Sequence, residues 1–147
     1  MTVPLTSLVF PDTEQMVVNH LLEVLGYEAS TVRPDGGAFT EALPFIWVNR
    51  IGGVRVTRTS QGRSLHDEAR ISLDVYATEG ANTSSRVAAT DAVAQVRAAF
   101  EQMHGTSRDG GFVLRTWEET GPAVRPEEPN TNVTRIGLIV GLRVRPV

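Results

Sequence analysis

The sequence predicts an α+β fold, a mainly antiparallel sheet with two principal helices packed on one face. Two stretches repeat apolar residues at helical spacing between recognisable caps, and others alternate apolar and polar residues with the period of a strand. Their order is helix, three strands, helix, two strands, which is most economically satisfied by helices lying on one face of such a sheet. At 147 residues, 41% of them hydrophobic, the chain is read as one domain spanning 1–147, large enough to bury a core.

The first helix lies in "FPDTEQMVVNHLLEVLG". Asp12 is the expected N-cap, with Gln15 three residues on as in a capping box. Met16, Val17, Leu21, Val24 and Leu25 form its apolar stripe, and Gly26 is placed to end it. "EASTVRPDGGAFTEA" is rich in glycine, proline and polar residues and is read as loop, with a short edge strand at 30–33. "LPFIWVNRIGGVRVTR" reads as two strands of a tight hairpin turning at Gly52-Gly53. Phe45, Trp47 and Asn49 alternate there with Ile46, Val48 and Arg50, so both faces carry apolar groups.

"TSQGRSLHDE", residues 59–68, reads as a polar loop longer than a hairpin needs. "ARISLDVYA" then alternates cleanly, with Ile71, Leu73 and Val75 inward and Arg70, Ser72, Asp74 and Tyr76 outward. The second helix lies in "NTSSRVAATDAVAQVRAAFEQMHG". Thr83 or Ser84 caps it, Val87, Val93, Val96, Phe100 and Met103 form its inner face, and Gly105 ends it. "GFVLRTWEE" is a further strand. In the last, "NVTRIGLIVGLRVR", Ile136, Leu138, Val140, Leu142 and Val144 share one face while Arg143 and Arg145 take the other. The connector before it, residues 121–131, is restrained by Pro122, Pro126 and Pro129.

Composition excludes several classes of function. With no cysteine there is no disulfide, thiolate metal site or cysteine nucleophile. "MTVPLTSLVF" lacks the basic start and apolar core of a secretory signal, and no run approaches the ~20 apolar residues of a membrane span. Net charge is −3 and every one of the 14 basic residues is arginine. These are dispersed among slightly more carboxylates, which disfavours a nucleic-acid-binding module.

A search for chemistry is negative. His66-Asp67-Glu68 is the best cluster of metal-capable groups, but adjacent loop residues rarely face one ion together. Glu118-Glu119 and Glu127-Glu128 read as solvated charge, since catalytic carboxylate pairs need unlike environments. The glycine pairs lack the strand-to-helix setting of a phosphate loop, and no nucleophile elbow occurs. His20 reads as a satisfied structural histidine, and Trp47 and Trp117 as packing residues. The expectation is a non-enzymatic assembly component with no cofactor and no metal.

The ordered set "FPDTEQMVVNHLLEVLG", "LPFIWVNRIGG", "ARISLDVYA", an alanine-rich helix and "TGPAVRPEEPNTNVTRIGLIVGLRV" resembles the tail terminator proteins of long-tailed bacteriophages over nearly the whole chain. The connector here departs from the family in carrying no aromatic residue. The resemblance implies a virion structural protein, assembled in the host cytoplasm and placed in the neck region of the tail. Such proteins form six-membered rings that cap the head-proximal end of the tail tube, halt its polymerisation and present a surface to the head–tail connector, while DNA passes through the lumen without specific binding. Other neck and head-completion proteins are similar in size and are the alternative. On this reading the two long polar connectors meet neighbouring subunits or the tube. The candidate interface residues are Arg63, His66 and Asp67 in the first, and Arg125, Glu127, Glu128, Asn130 and Asn132 in the second.

Overall fold

The computed structural model describes residues 9–58, 64–125 and 132–146. The elements run α1 (Thr13–Leu25), β1 (Glu28–Ser30), α2 (Gly36–Glu41), β2 (Phe45–Arg58), β3 (Ser64–Thr78), α3 (Ser85–Glu101), β4 (Ser107–Arg108), β5 (Gly111–Arg125) and β6 (Val133–Pro146). Six strands form one sheet in the order β1-β2-β3-β6-β5-β4. Among the described residues only the β1–β2 pairing is parallel. The expected α+β architecture is present.

Local chemistry sets the helix ends. Asp12 accepts a hydrogen bond from the Gln15 amide at 3.2 Å, satisfying one of the donors that a helix start leaves open. Gly26 closes α1 in the left-handed region at φ 69°, donating its amide to the Leu22 carbonyl. Ser84 caps α3 through the Val87 amide. That helix ends at Glu101, and Gly105 (φ 75°) instead bonds the start of β5 through the Val113 carbonyl.

One face of the sheet carries Ile46, Val48, Ile71, Leu73, Val75, Ile136, Leu138, Val140, Leu142 and Val144. All are buried against Met16, Val17, Leu21, Val93, Val96, Phe100 and Met103 of the α1–α3 side. Leu73, Val75, Leu138 and Val140 are thus core, as the strand alternation predicts, and so is Phe100, as the helical stripe predicts. Val24 and Val87, assigned to the helix stripes, are instead 42% and 51% exposed, and Val18 is buried. His20 is buried, and its Nε2–H donates to the Ala99 carbonyl at 2.7 Å. A side chain of α1 thereby bonds the backbone of α3.

Three expectations are corrected. First, no hairpin turns at Gly52-Gly53: both lie within the continuous strand β2, at a bulge where Ile51 is the extra residue between the Arg50–Ile71 and Gly52–Arg70 pairs. Both glycines do have positive φ, 151° and 107°. At Gly53 the reason is close approach, since a Cβ there would meet the Glu68 carbonyl oxygen at 1.9 Å. Second, residues 64–68 belong to β3, so the first polar connector is shorter than its composition suggests. The second connector likewise loses 121–125 to β5. Third, "EASTVRPDGGAFTEA" holds β1 at Glu28–Ser30, ahead of the expected 30–33, and the short helix α2.

That helix lies on the opposite face of the sheet from α1 and α3. Phe39 packs edge-on to Tyr76 at 5.1 Å and to Phe45 at 6.2 Å. Tyr76, expected outward, is therefore fully buried in a second, smaller cluster.

Candidate functional site

The residues expected at an interface fall into two hairpins. In the first, Arg63 lies outside the described residues, while His66 and Asp67 sit on β3, opposite Val56 and Arg55 of β2. Asp67 faces the helix side, only 5% exposed, and is engaged internally. It holds Arg50 in a two-pronged pair, Nη1 to Oδ2 at 2.9 Å and Nη2 to Oδ1 at 3.0 Å. Arg50 also donates its Nε to the Gly52 carbonyl and its backbone amide to Glu14 of α1. A carboxylate removed from water needs such a satisfied partner. The bond to Asp67 raises the Arg50 pKa above its ordinary value. Asp67 thus fastens the bulge and the start of α1 to the sheet. His66, on the opposite face and half-buried, remains at the surface of the hairpin.

In the second hairpin, Glu127, Glu128 and Asn130 lie outside the described residues, as do Pro126 and Pro129. Asn132 is exposed where β6 begins, and its carbonyl accepts the Thr78 hydroxyl at 3.2 Å. Arg125 is the last residue of β5, beside Arg135. Between them lies Asp74, 6% exposed, which accepts from Arg135 at 3.0 Å and faces the Arg125 Nε at 3.7 Å. The Asp74 Oδ1 and the Arg125 Nε have no hydrogen-bond partner among the described residues. The Arg125 stem crosses Gly137, where a Cβ would meet its Nε at 1.9 Å.

Strand register puts these hairpins at opposite ends of the sheet. The β2–β3 connection lies beyond the Arg58–Ser64 pair, at the end where Asp67 pairs with Val144. The β5–β6 connection lies beyond the Arg125–Arg135 pair, at the end where Tyr76 pairs with Arg135.

The sheet's two margins are also open. β1 pairs only Phe45, Ile46 and Trp47 of β2, and β4 pairs only Gly111 and Phe112 of β5. Ile51, Val54 and Val124, 41%, 64% and 50% exposed, lie on these margins. Three register shifts interrupt β5, a device that discourages indiscriminate edge pairing. A groove of about 400 Å³ lies between α3 and the far part of β5, lined by Val93, Ala94, Arg97, Ala123, Val124 and Ile136. Arg97 crosses from α3 to Glu118 of β5 at 2.9 Å, and that bond raises its pKa.

On the face away from α1 and α3, the sheet carries rows of ion pairs that no single strand reveals. Arg70 meets Glu119 at 2.6 Å, Arg143 meets Glu68, and Arg135 meets Asp74. The alternation of β6 gives the one sequence signal for this row, since Arg135, Arg143 and Arg145 occupy the outward register. Among the described residues no group of three or more histidine, aspartate or glutamate side chains is placed to hold a metal ion. No described helix is long and apolar enough to cross a membrane. The chain matches no protein-family model and no curated protein sequence.

Proposed function

We propose that this chain is a ring-forming structural subunit, a tail terminator of a long-tailed phage that caps the tail tube and offers its other side to the head–tail connector. The reading starts from the ordered sequence resemblance described above. The structural observation that supports it best is bipolarity: two long hairpins leave opposite ends of a single sheet, as a spacer between two different partners requires. The open margins of β2 and β5, with Ile51, Val54 and Val124 exposed along them, offer lateral surface for neighbouring subunits. The partners are then further copies of this chain, the tube protein and a connector protein. DNA passes through the lumen without sequence-specific contact.

Electron microscopy of the purified protein, alone and mixed with tail tubes, tests this reading. Closed six-fold rings seated on tube ends are expected. A second arm shortens the connector at residues 59–63 in a phage carrying the gene. The chain should stay folded while tails grow to uncontrolled length and fail to join heads. Normal, head-joined tails from that mutant, or a protein that remains monomeric in the presence of tubes, would refute the assignment.

A further inference from the structure

The arginines that look dispersed along the sequence are gathered by the fold. On the face of the sheet away from α1 and α3, strands β3, β5 and β6 present Arg70, Arg115, Arg125, Arg135, Arg143 and Arg145 against Glu68, Asp74 and Glu119. These three strands carry +3 on this face, so a chain of net charge −3 carries −6 in its remaining residues. Five of the six arginines lie on the two-stranded β5–β6 ribbon.

Within that ribbon the register sets like charges side by side. Arg115 is directly opposite Arg143, and Arg125 is directly opposite Arg135. Cross-strand pairs of like charge oppose sheet formation. Glu68 and Asp74 offset Arg143 and Arg135. Arg115 and Arg145 have no carboxylate within ion-pair distance among the described residues. Both are exposed and lie over aromatic rings, Arg115 at 5.3 Å from Trp117 and Arg145 at 4.8 Å from Phe112. Gly141 allows this layer to lie flat, because a Cβ there would strike the Trp117 ring at 2.3 Å.

We propose that the β5–β6 ribbon is a docking surface for the phosphate backbone of duplex DNA, bound without regard to base sequence. From Arg135 to Arg145 the stripe runs roughly 33 Å, at about 3.3 Å per residue, close to the ~34 Å of one turn of duplex. A regular polyanion matches a stripe of that length, whereas an acidic protein surface would need its charges set out to fit. A free two-stranded ribbon can enter a major groove, but β6 is bonded to β3 along its length, from Val133 to Val144, so this ribbon cannot be inserted and its contacts are with phosphates. This inference does not depend on the ring reading: a monomer presents the same stripe.

Fluorescence anisotropy of the full chain with a labelled duplex of mixed sequence, about two helical turns long, is the test. A surplus of about three charges predicts a log–log salt slope near −2.7, so affinity should fall roughly 40-fold between ~0.05 and ~0.2 M salt. The double variant Arg115→Gln/Arg145→Gln removes two cations that hold no internal carboxylate. Its slope should drop to about −0.9, a loss of only about 3.5-fold over the same range. Arg115→Lys/Arg145→Lys should keep the original slope, as should Arg86→Gln on the exposed side of α3. No binding at ~0.05 M, or a slope unchanged in the double glutamine variant, overturns the proposal. So does a double glutamine variant that loses self-association while binding DNA as before, which would assign the stripe to a second copy of this chain. A double variant that fails to fold is answered by the lysine pair, whose loss of salt-dependent binding would equally overturn it.

Discussion

Gly53 is the position where the fold depends most directly on the absence of a side chain, and Gly53→Ala measures that dependence. A Cβ at this position would lie 1.9 Å from the Glu68 carbonyl oxygen and 2.9 Å from the Ala69 Cα, against 3.4 Å or more for ordinary contact. β2 and β3 would have to part by about 1.5 Å, enough to break the ladder bonds on either side of the bulge. Two backbone bonds at about 0.5–1.5 kcal/mol each, with about 1–3 kcal/mol for a non-glycine residue at φ 107°, place the loss near 4 kcal/mol. For a chain of this length that lowers the melting temperature by roughly 10 °C. Gly52→Ala is the internal control: φ is 151° there, but nothing lies within 4 Å of the new carbon, so only the backbone term remains. Urea unfolding followed by tryptophan fluorescence gives both values. Equal losses at the two positions would refute the close-approach argument, and Gly53→Val within about 0.5 kcal/mol of the parent would refute the bulge itself.

Phe100→Ala removes a ring that is 3% exposed where α3 meets the sheet and should cost about 3–5 kcal/mol by chemical denaturation; a cost below ~1 kcal/mol would place that helix face outside the core. Gly141→Ala should displace the Trp117 ring from the sheet, read as a red shift and readier quenching of tryptophan emission, with no change if the ring is not seated there. Glu23 bonds Arg108, and that hydrogen bond holds its carboxyl below the usual value of 4.5. Because the folded-state pKa is depressed, the contribution to stability is present above the unfolded value and is lost as pH falls through the lowered one. In urea midpoints measured across pH, Glu23→Gln should therefore be slightly less stable than the parent above about pH 4.5, show a flatter acid limb and converge on the parent at low pH; a deficit that persists unchanged into acid would refute the pairing.

Features fixed by a few neighbouring residues were legible in the sequence. Asp12, Gly26 and Ser84 act within one helical turn, so their roles follow from spacing alone; the reciprocal half of the expected capping box does not form, because the Gln15 side chain bonds Asn19 instead. The inward alternation of Ile71 to Val75 and of Ile136 to Val144 is equally local. What failed depends on partners far along the chain. Gly52-Gly53 resembles a turn until β3 is laid beside β2, and the polar run 64–68 resembles a loop until β2 pairs with it, joined on the other side by β6 at Asp67 and Glu68. Asp67 looked available for a partner because Arg50, 17 residues earlier, gives no sign in sequence of reaching it. The alternation points Tyr76 outward and gives no sign of its cover, because α2, only six residues long and begun by two glycines, is held by Phe39 packing rather than by helical periodicity. The arginine stripe becomes visible only when β3, β6 and β5 stand side by side.

The placement of the two hairpins has a thermodynamic corollary. β3 alone spans Ser64–Thr78, which at about 3.3 Å per residue separates the two ends by roughly 46 Å. Substitutions that far apart share no neighbours, and their free energies add to within about 0.5 kcal/mol. Changes at Asn132 and at His66 should therefore combine without coupling in a double-mutant cycle on the isolated chain. Any coupling that emerges only after assembly would be a property of the assembly, carried through contacts between subunits, and its size would measure how firmly they are joined.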